Sequence, residues 1–419
     1  MRVAVVTPLD ARATGVADYS LELLPHLARA LGSEVVVFTQ DAERSQPECG
    51  DGAPSEWRLL KGDGWTCWPI AELPRLAPEL DLIIYQMGNS PAHDYMAPYL
   101  HEYPGLVVLH DLSLHDFYVR QAGLAGRPAA YLRAFGFGYG LQGTRLARRY
   151  LRQPMRIGYP EYLLSEWLAA RSPGVIVHSD HAASLLGERC PAARIEVVPM
   201  PMPLPDRVAP AEARAQLGLA ADAYVIVVFG VLNLSKRPLA VLDALKRLRA
   251  ARVPAQVVFV GRENTSFRLA PEVERRGLQA DVIQLGFVED QGAVRLWLSA
   301  ADVAVGLRSL YWGETPASAL RVLASGLPLV VNDVGAFAEL PDSACVKISS
   351  DVPDTGEALC LVLEGLFREP SRRRAMGVAA RDYVGLKHDP GQVAAHYVRF
   401  AEAILNGQWR AIGMAPSER

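Results

Sequence analysis

Short apolar runs recur along the chain. Each ends at a Gly, Pro or polar residue and is followed by a stretch with apolar positions three and four residues apart. The first run, Val3 to Thr7, is continuous, as expected for a parallel strand buried on both faces, and it stops at Pro8. A loop holding Gly15, a helical stretch from Ala17 to Leu31 and a second run at Glu34–Thr39 complete a strand–loop–helix–strand opening of Rossmann type. The same pattern predicts strands at Leu82–Gln86, Leu106–His110, Val175–His178 and Ile195–Val198. In open sheets of this kind the site lies at the carboxyl ends of the strands. His110-Asp111 and His178-Ser179 both fall at such ends.

From Pro199 the chain reads PMPMPLPDRVAP, a run that favours an extended, stiff connector. After it the alternation restarts. Strands are predicted at Tyr224–Phe229, Gln256–Val260, Val282–Leu285 and Asp302–Gly306, and helices at Pro238–Arg249, Pro271–Arg276 and Gln291–Ala300. Helices at about Glu357–Phe367, Ser371–Val384 and Gln392–Leu405 close the chain. With 419 residues the chain exceeds what one core supports. The expectation is a first domain over residues 1–199, a linker over 200–210 and a second domain over 211–390.

The stretch Leu307 to Asn332 carries the most chemistry. A strand feeds the loop Gly313, Glu314, Thr315, Pro316, which opens a helix with Pro316 suited to its first turn. Backbone N–H groups at such a start lack intrahelical partners and, with the helix dipole, attract phosphate. Ala317 and Ser318 stand beside those amides, and the Glu314 carboxylate is suited to sugar hydroxyls. One loop can therefore hold both halves of a sugar nucleotide.

Composition narrows the classes. Half the residues are apolar and the net charge is −3, so no global basic character points to nucleic acid. The cysteines Cys49, Cys67, Cys190, Cys345 and Cys360 have no paired spacing for zinc or redox chemistry and read as reduced thiols. Met1 leads almost directly into a strand, without a charged-then-apolar leader, and no apolar run spans a bilayer, so a cytoplasmic address is expected. Residues 117–160 contain no acidic side chain and interleave Arg120, Arg127, Arg133, Arg145, Arg148, Arg149, Arg152 and Arg156 with Phe and Tyr. The bland reading is a solvated helical insertion. The sharper one is peripheral contact with an anionic membrane, at its inner face.

FGVLNLSKRPLAVLDAL, VVFVGRE, LGFVEDQGAVRLWLSAADVAVGLRS, the GETPASALRVLASGLPLVV loop and NDVGAFAELP occur in that order over residues 224–345. Together they resemble the carboxyl-terminal half of retaining nucleotide-sugar glycosyltransferases (glycosyltransferase family 4-like, glycosyl transferases group 1). The first half fits more loosely, through TGVADYS and the HD at 110–111. The resemblance implies an α/β fold with two Rossmann-like doubly wound parallel-sheet domains facing each other across a cleft, the GT-B fold. It also implies that the last helix, about 391–410, returns to the first domain. The implied activity is hexosyl transfer from a nucleoside-diphosphate sugar to a hydroxyl with retained configuration. The acceptor is a glycan, a lipid-linked or a small molecule, and neither cofactor nor metal is needed.

Carried over by residue, Lys236, six after Gly230, matches the lysine that clamps the donor diphosphate. Alone it would read as a solvated loop lysine. Gly261-Arg262 and Phe287-Val288 match positions lying against the nucleobase, and Gly230 is the glycine of the first motif; Gly15, alone in a loop without G-x-G-x-x-G, is a donor-side candidate whose bland reading is a plain turn. His110 matches the histidine on the acceptor side of the cleft, near the donor sugar, and Asp18, Tyr19, Asp111 and His115 are second-rank acceptor contacts. Two departures stand out. Counting back from Gly326, the family's second glutamate falls at Arg321, and the first, eight residues earlier, at Gly313, so Glu314 serves only through a one-residue shift. Val231 follows the first motif glycine where Arg or Ser is common, which makes Arg308 a candidate replacement. Two alternatives remain, a GT-B-fold sugar-nucleotide epimerase and an inert glycosyltransferase-like subunit. A nicotinamide dehydrogenase is disfavoured, because neither half has the three-glycine fingerprint.

Overall fold

The computed structural model describes residues 1–40, 61–123, 126–153, 161–264, 267–309, 313 and 317–408. The chain forms two units. One comprises Met1–Pro201, Pro390–Arg419 and the short stretch Trp312–Thr315, of which only Gly313 is described; the other comprises Met202–Tyr311 and Pro316–Asp389. The proline run therefore divides at residue 201, and its last proline, Pro210, starts the helix Pro210–Leu217 instead of ending a free connector.

In the first unit the described strands are β1 (Val3–Val6), β2 (Val35–Thr39), β3 (Lys61–Gly62), β4 (Trp65–Pro69), β5 (Leu82–Met87), β6 (Leu106–Leu109), β7 (Val175–Val177) and β8 (Ile195–Val197). They form one sheet of order β3-β4-β2-β1-β5-β6-β7-β8, parallel throughout except for the β3–β4 hairpin. Every residue of β1, β2, β5 and β6 is buried, because helices cover both faces. Strand β4 escapes the sequence reading because its alternating burial and two tryptophans do not make a continuous apolar run. Helix Gly15–Leu31 starts two residues earlier than the periodicity suggests, since the Thr14 hydroxyl caps it by accepting from the Val16 amide. The closing helix Pro390–Ala403 packs along it and belongs to this unit.

The segment from residue 117 is not a solvated insertion over its described part. Helices His115–Gly123 and Pro128–Arg152 bury Phe117, Tyr118, Tyr131 and Phe135 in the core of the first unit. Arginines on the outer helix faces remain in solvent. Arg156 and Tyr159 lie outside the described residues, as does Cys49.

The second unit has β9 (Tyr224–Phe229), β10 (Ala255–Val260), β11 (Val282–Gly286), β12 (Val303–Val305), β13 (Leu329–Asn332) and β14 (Cys345–Ile348). The order is β11-β10-β9-β12-β13-β14, all parallel. Numbered by appearance this is 3-2-1-4-5-6, the doubly wound Rossmann order, with its switch point between β9 and β12. The central strand β9 is buried almost throughout, whereas the edge strand β11 is half-exposed and carries polar Gln284. Each aliphatic side chain buried in this sheet contributes about 1.5–3 kcal/mol of transfer free energy.

Candidate functional site

At the switch point two strands run in opposite senses of chain order, so the loops after them diverge and leave a crevice at their carboxyl ends. After β9 comes Gly230, then a turn in which the Asn233 side chain accepts from the Lys236 amide. After β12 comes the segment holding Arg308. Its loop is tied to the first by the Ser309 amide donating to the Ser235 carbonyl at 2.6 Å.

Gly230 sits at the centre of this crevice with φ +98, in the left-handed region. A Cβ there would lie 2.6 Å from Lys236 Nζ and 3.5 Å from Ser318 Cβ. The ammonium and the first turn of helix Ala317–Ala324 thus converge on one glycine Cα. Lys236 Nζ donates to the Phe229 carbonyl at 3.3 Å, which aims the side chain back over the strand end. Gly261, after β10, has φ +148, and a Cβ there would be 2.2 Å from the Gly230 carbonyl oxygen. It lets the two strand ends approach, and its amide bonds the Gly286 carbonyl at 2.8 Å.

Arg308 is buried. Its guanidinium lies over the Phe337 ring at 5.0 Å, and its amide donates to Asn332 Oδ1 at 2.8 Å. The Asn332 bond fixes the backbone, and the guanidinium itself donates to the Leu307 carbonyl at 3.0 Å, so the cation is held against the aromatic face. Arg262 is exposed at the end of β10, and Phe287 is 52% exposed at the end of β11 with Val288 half-buried beside it. An aromatic ring left so open at a strand end offers a face for stacking. Arg321 donates to Gln291 Oε1 at 2.7 Å, so it reaches the start of helix Gln291–Ala300. Glu314, Thr315 and Pro316 lie outside the described residues.

In the first unit, His110 closes β6. Its Nε2 is 2.7 Å from Gln86 Oε1, and its ring meets Tyr19 edge-on at 4.5 Å and His178 at 5.0 Å. Burial, then the neighbouring His178 and His93, push the imidazole well below its ordinary pKa, so it is neutral at pH 7. His178 Nδ1 lies 2.8 Å from the Val198 carbonyl. Tyr19 is not an open acceptor contact: it is 3% exposed and its hydroxyl bonds that of Tyr397 on the closing helix. Burial raises both phenols. His115 is likewise enclosed. Its Nε2 is 3.0 Å from the Tyr131 hydroxyl and its ring is edge-on to Phe135 and Tyr150, because helix Pro128–Arg152 folds over it.

Asp111 accepts from the Asn89 amide at 2.7 Å, fixing the loop after β5. Asp18 is half-buried in the first turn of helix Gly15–Leu31, and Gly15 faces open space there. Three residues that sequence reasoning passed over complete the cluster: Gln86, which orients His110, Tyr397, and Asn89. The Asn89 side chain accepts from the Phe117 amide at 2.9 Å, and its carbonyl accepts from Arg120. His178 carried a signal, a histidine ending a predicted strand.

A doubly wound unit with a lysine, a helix and a buried arginine near its switch point has a crevice of a kind that suits phosphorylated ligands. Residues 211–383 match the family model of glycosyl transferases group 1. Sucrose-phosphate synthase from Thermosynechococcus elongatus is similar over 97% of this chain and 99% of its own, with TM-score 0.67 and 17% identity. HepE of Anabaena, solved in complex with UDP-glucose, is similar over 96% and 100%, with TM-score 0.63 and 14% identity. WaaG, a glycosyltransferase involved in lipopolysaccharide biosynthesis, is similar over 97% and 100%, with TM-score 0.59 and 16% identity. No curated protein sequence matches the chain. The fold is that of GT-B glycosyltransferases, and the domain match supports glycosyl transfer. Among the described residues no helix is long and apolar enough to cross a membrane.

Proposed function

We propose that this chain is a retaining hexosyltransferase that moves a sugar from a nucleoside-diphosphate sugar to an acceptor hydroxyl. The observation that carries the reading is the convergence of Lys236 and Ser318 on Gly230 at the β9–β12 switch point. In this reading the diphosphate lies over Gly230, its charge taken by the Lys236 ammonium and by amides at the start of helix Ala317–Ala324, with Arg308 as a second fixed cation. The base lies along Gly261, Arg262, Phe287 and Val288. Glu314 takes donor-sugar hydroxyls, and His110, Asp111 and Asp18 act on the acceptor side. Tyr19 and His115 hold that side from behind.

In the reaction the bond from the anomeric carbon to the β-phosphate oxygen breaks, and a bond from the same carbon to the acceptor oxygen forms on the same face. The acceptor proton passes to the departing phosphate. The leaving diphosphate gains charge as this happens, so cations fixed beforehand favour the transition state over the bound substrate. No metal is assigned to the step. HepE was solved with UDP-glucose, which supports a uridine nucleotide as the first donor to try. The acceptor is a glycan, a lipid-linked or a small molecule, and exposed Phe137 and Leu141 on the arginine-bearing helix suit peripheral contact with anionic lipid.

Calorimetric titration with UDP, GDP and ADP, followed by donor-hydrolysis and product assays, tests the reading. Binding by one nucleotide and loss of that binding in Lys236→Ala are expected. Absence of binding by all three sinks the reading, and a rearranged free sugar nucleotide as sole product replaces transfer by epimerisation.

A further inference from the structure

The second unit has another pocket, of about 330 Å³, at the amino-end side of its sheet. Its walls are the proline run, the end of helix Gln291–Ala300, the turn Ser325–Leu327 that leads into β13, and helix Pro370–Lys387. Ala301 and Leu327 precede β12 and β13, so this pocket lies by the amino ends of those two strands, away from Gly230 at the carboxyl end of β9.

Four arginines line it, Arg207, Arg295, Arg374 and Arg381, against one carboxylate, Asp206. Asp206 lies 3.3 Å from Arg295, whose Nε is buried with no hydrogen-bond partner among the described residues. Arg381 donates to two neutral carbonyls, Ala324 at 2.9 Å and Pro205 at 2.8 Å, so it is anchored without a direct bond to a carboxylate among the described residues. The hydrogen bond seen at Arg374 is to the Ser371 hydroxyl, at 3.3 Å. Neighbouring arginines of the same helix sit on carboxylates instead: Arg372 on Glu369 and Arg373 on Asp302. Burial and then Arg207 lower the proton affinity of the Arg381 guanidinium, and the nearby Asp206 carboxylate offsets this only in part. The floor is apolar, with Leu298, Leu327 and Val378, the last 54% exposed.

Guanidinium groups gathered around a concave apolar floor match a ligand with a phosphate at one end and a carbon body at the other. We propose that this pocket binds a phosphomonoester, its dianionic phosphate held by Arg207, Arg374 and Arg381 and its body resting on Leu298, Leu327 and Val378. The site is separate from the donor crevice and does not depend on the transferase reading.

The test is calorimetric titration of the full chain, with and without excess UDP, using phenyl phosphate in one arm and inorganic phosphate in the other. Phenyl phosphate is expected to bind more tightly than inorganic phosphate, and more weakly as salt is raised. Arg207→Ser with Arg374→Ser, both exposed positions, is expected to weaken it at least about tenfold, the loss of one to two charge-assisted contacts. Each single substitution is measured alongside, so that a folding defect in the pair cannot mask the result. Arg372→Ser, exposed on the same helix, and Lys236→Ala are expected to leave binding unchanged. No binding to the parent chain, undiminished binding in all the Arg207 and Arg374 variants, or loss in Lys236→Ala alone overturns the proposal. Equal affinity in the two arms removes the apolar body from it.

Discussion

Lys236→Ala removes the side-chain cation held against Gly230. The side chain is half-buried in an exposed turn, and the turn is capped by Asn233 independently of the ammonium, so the fold should survive the truncation. Gly230 has no side chain, so a phosphate oxygen lying on it comes within contact distance of Nζ. For unit charges about 4 Å apart at an effective dielectric near 20, the Coulomb energy is about 4 kcal/mol. Part of that is lost because the turn is open to water, which leaves about 2–3 kcal/mol in the transition state. The expected fall in kcat/KM is therefore about 30- to 150-fold. Most of it should appear in kcat, because the charge on the leaving diphosphate grows as the bond breaks. Lys236→Arg should rescue little, since a planar fork does not fit the place of a point charge packed on Gly230. Initial rates of nucleotide release, with donor varied at fixed acceptor, measure the effect, and a melting curve checks the fold. If kcat/KM stays within about threefold of the parent in a folded variant, the attraction assigned to Lys236 is absent and the site assignment fails.

Three further outcomes follow from particular contacts. Gly261→Ala forces a Cβ to within 2.2 Å of the Gly230 carbonyl at φ +148. It should destabilise the second unit by about 3 kcal/mol, read by chemical denaturation, and an unchanged midpoint refutes the close approach. Burial holds the His93 imidazole at about 4, below the ordinary value of 6.5, so the unfolded chain binds its proton first. The stability this group confers is full above pH 6.5 and is lost as pH falls toward 4, by about 1.4 kcal/mol per pH unit. His93→Gln should flatten the melting-temperature profile in that window, and a profile as steep as the parent's contradicts the assignment. Flotation with anionic vesicles at low salt should carry the chain upward, and less so with Phe137→Ser and Leu141→Ser together; no flotation of the parent removes the membrane contact.

How much of this was legible in the sequence follows from where the physics is local. Continuous apolar runs such as Tyr224–Phe229 can be read directly, because a parallel strand covered on both faces has no polar side to show. The glycines at 230 and 261 and Lys236 were legible as a spacing, but the reason for each, an ammonium against a bare Cα and a carbonyl 2.2 Å from a would-be Cβ, is a contact between separate strands. Strand β4 and the short β14 stayed hidden because their burial comes from neighbours and not from their own pattern.

The sequence alone determined the alternation of strands and helices, a break near the proline run, the place of Lys236 in the loop after one strand and that of His110 at the end of another. Tertiary structure decided which of these side chains remain open. His115 and Tyr19 look like polar candidates in the sequence, yet one is enclosed by helix Pro128–Arg152 and the other is bonded to Tyr397 from the far end of the chain. Four arginines scattered over residues 207–381 form one pocket only once the turn before β13 and the helix Pro370–Lys387 are packed together. Local periodicity reports which face of an element is apolar. Which distant residue comes to cover it, or to share its charge, is settled only by packing.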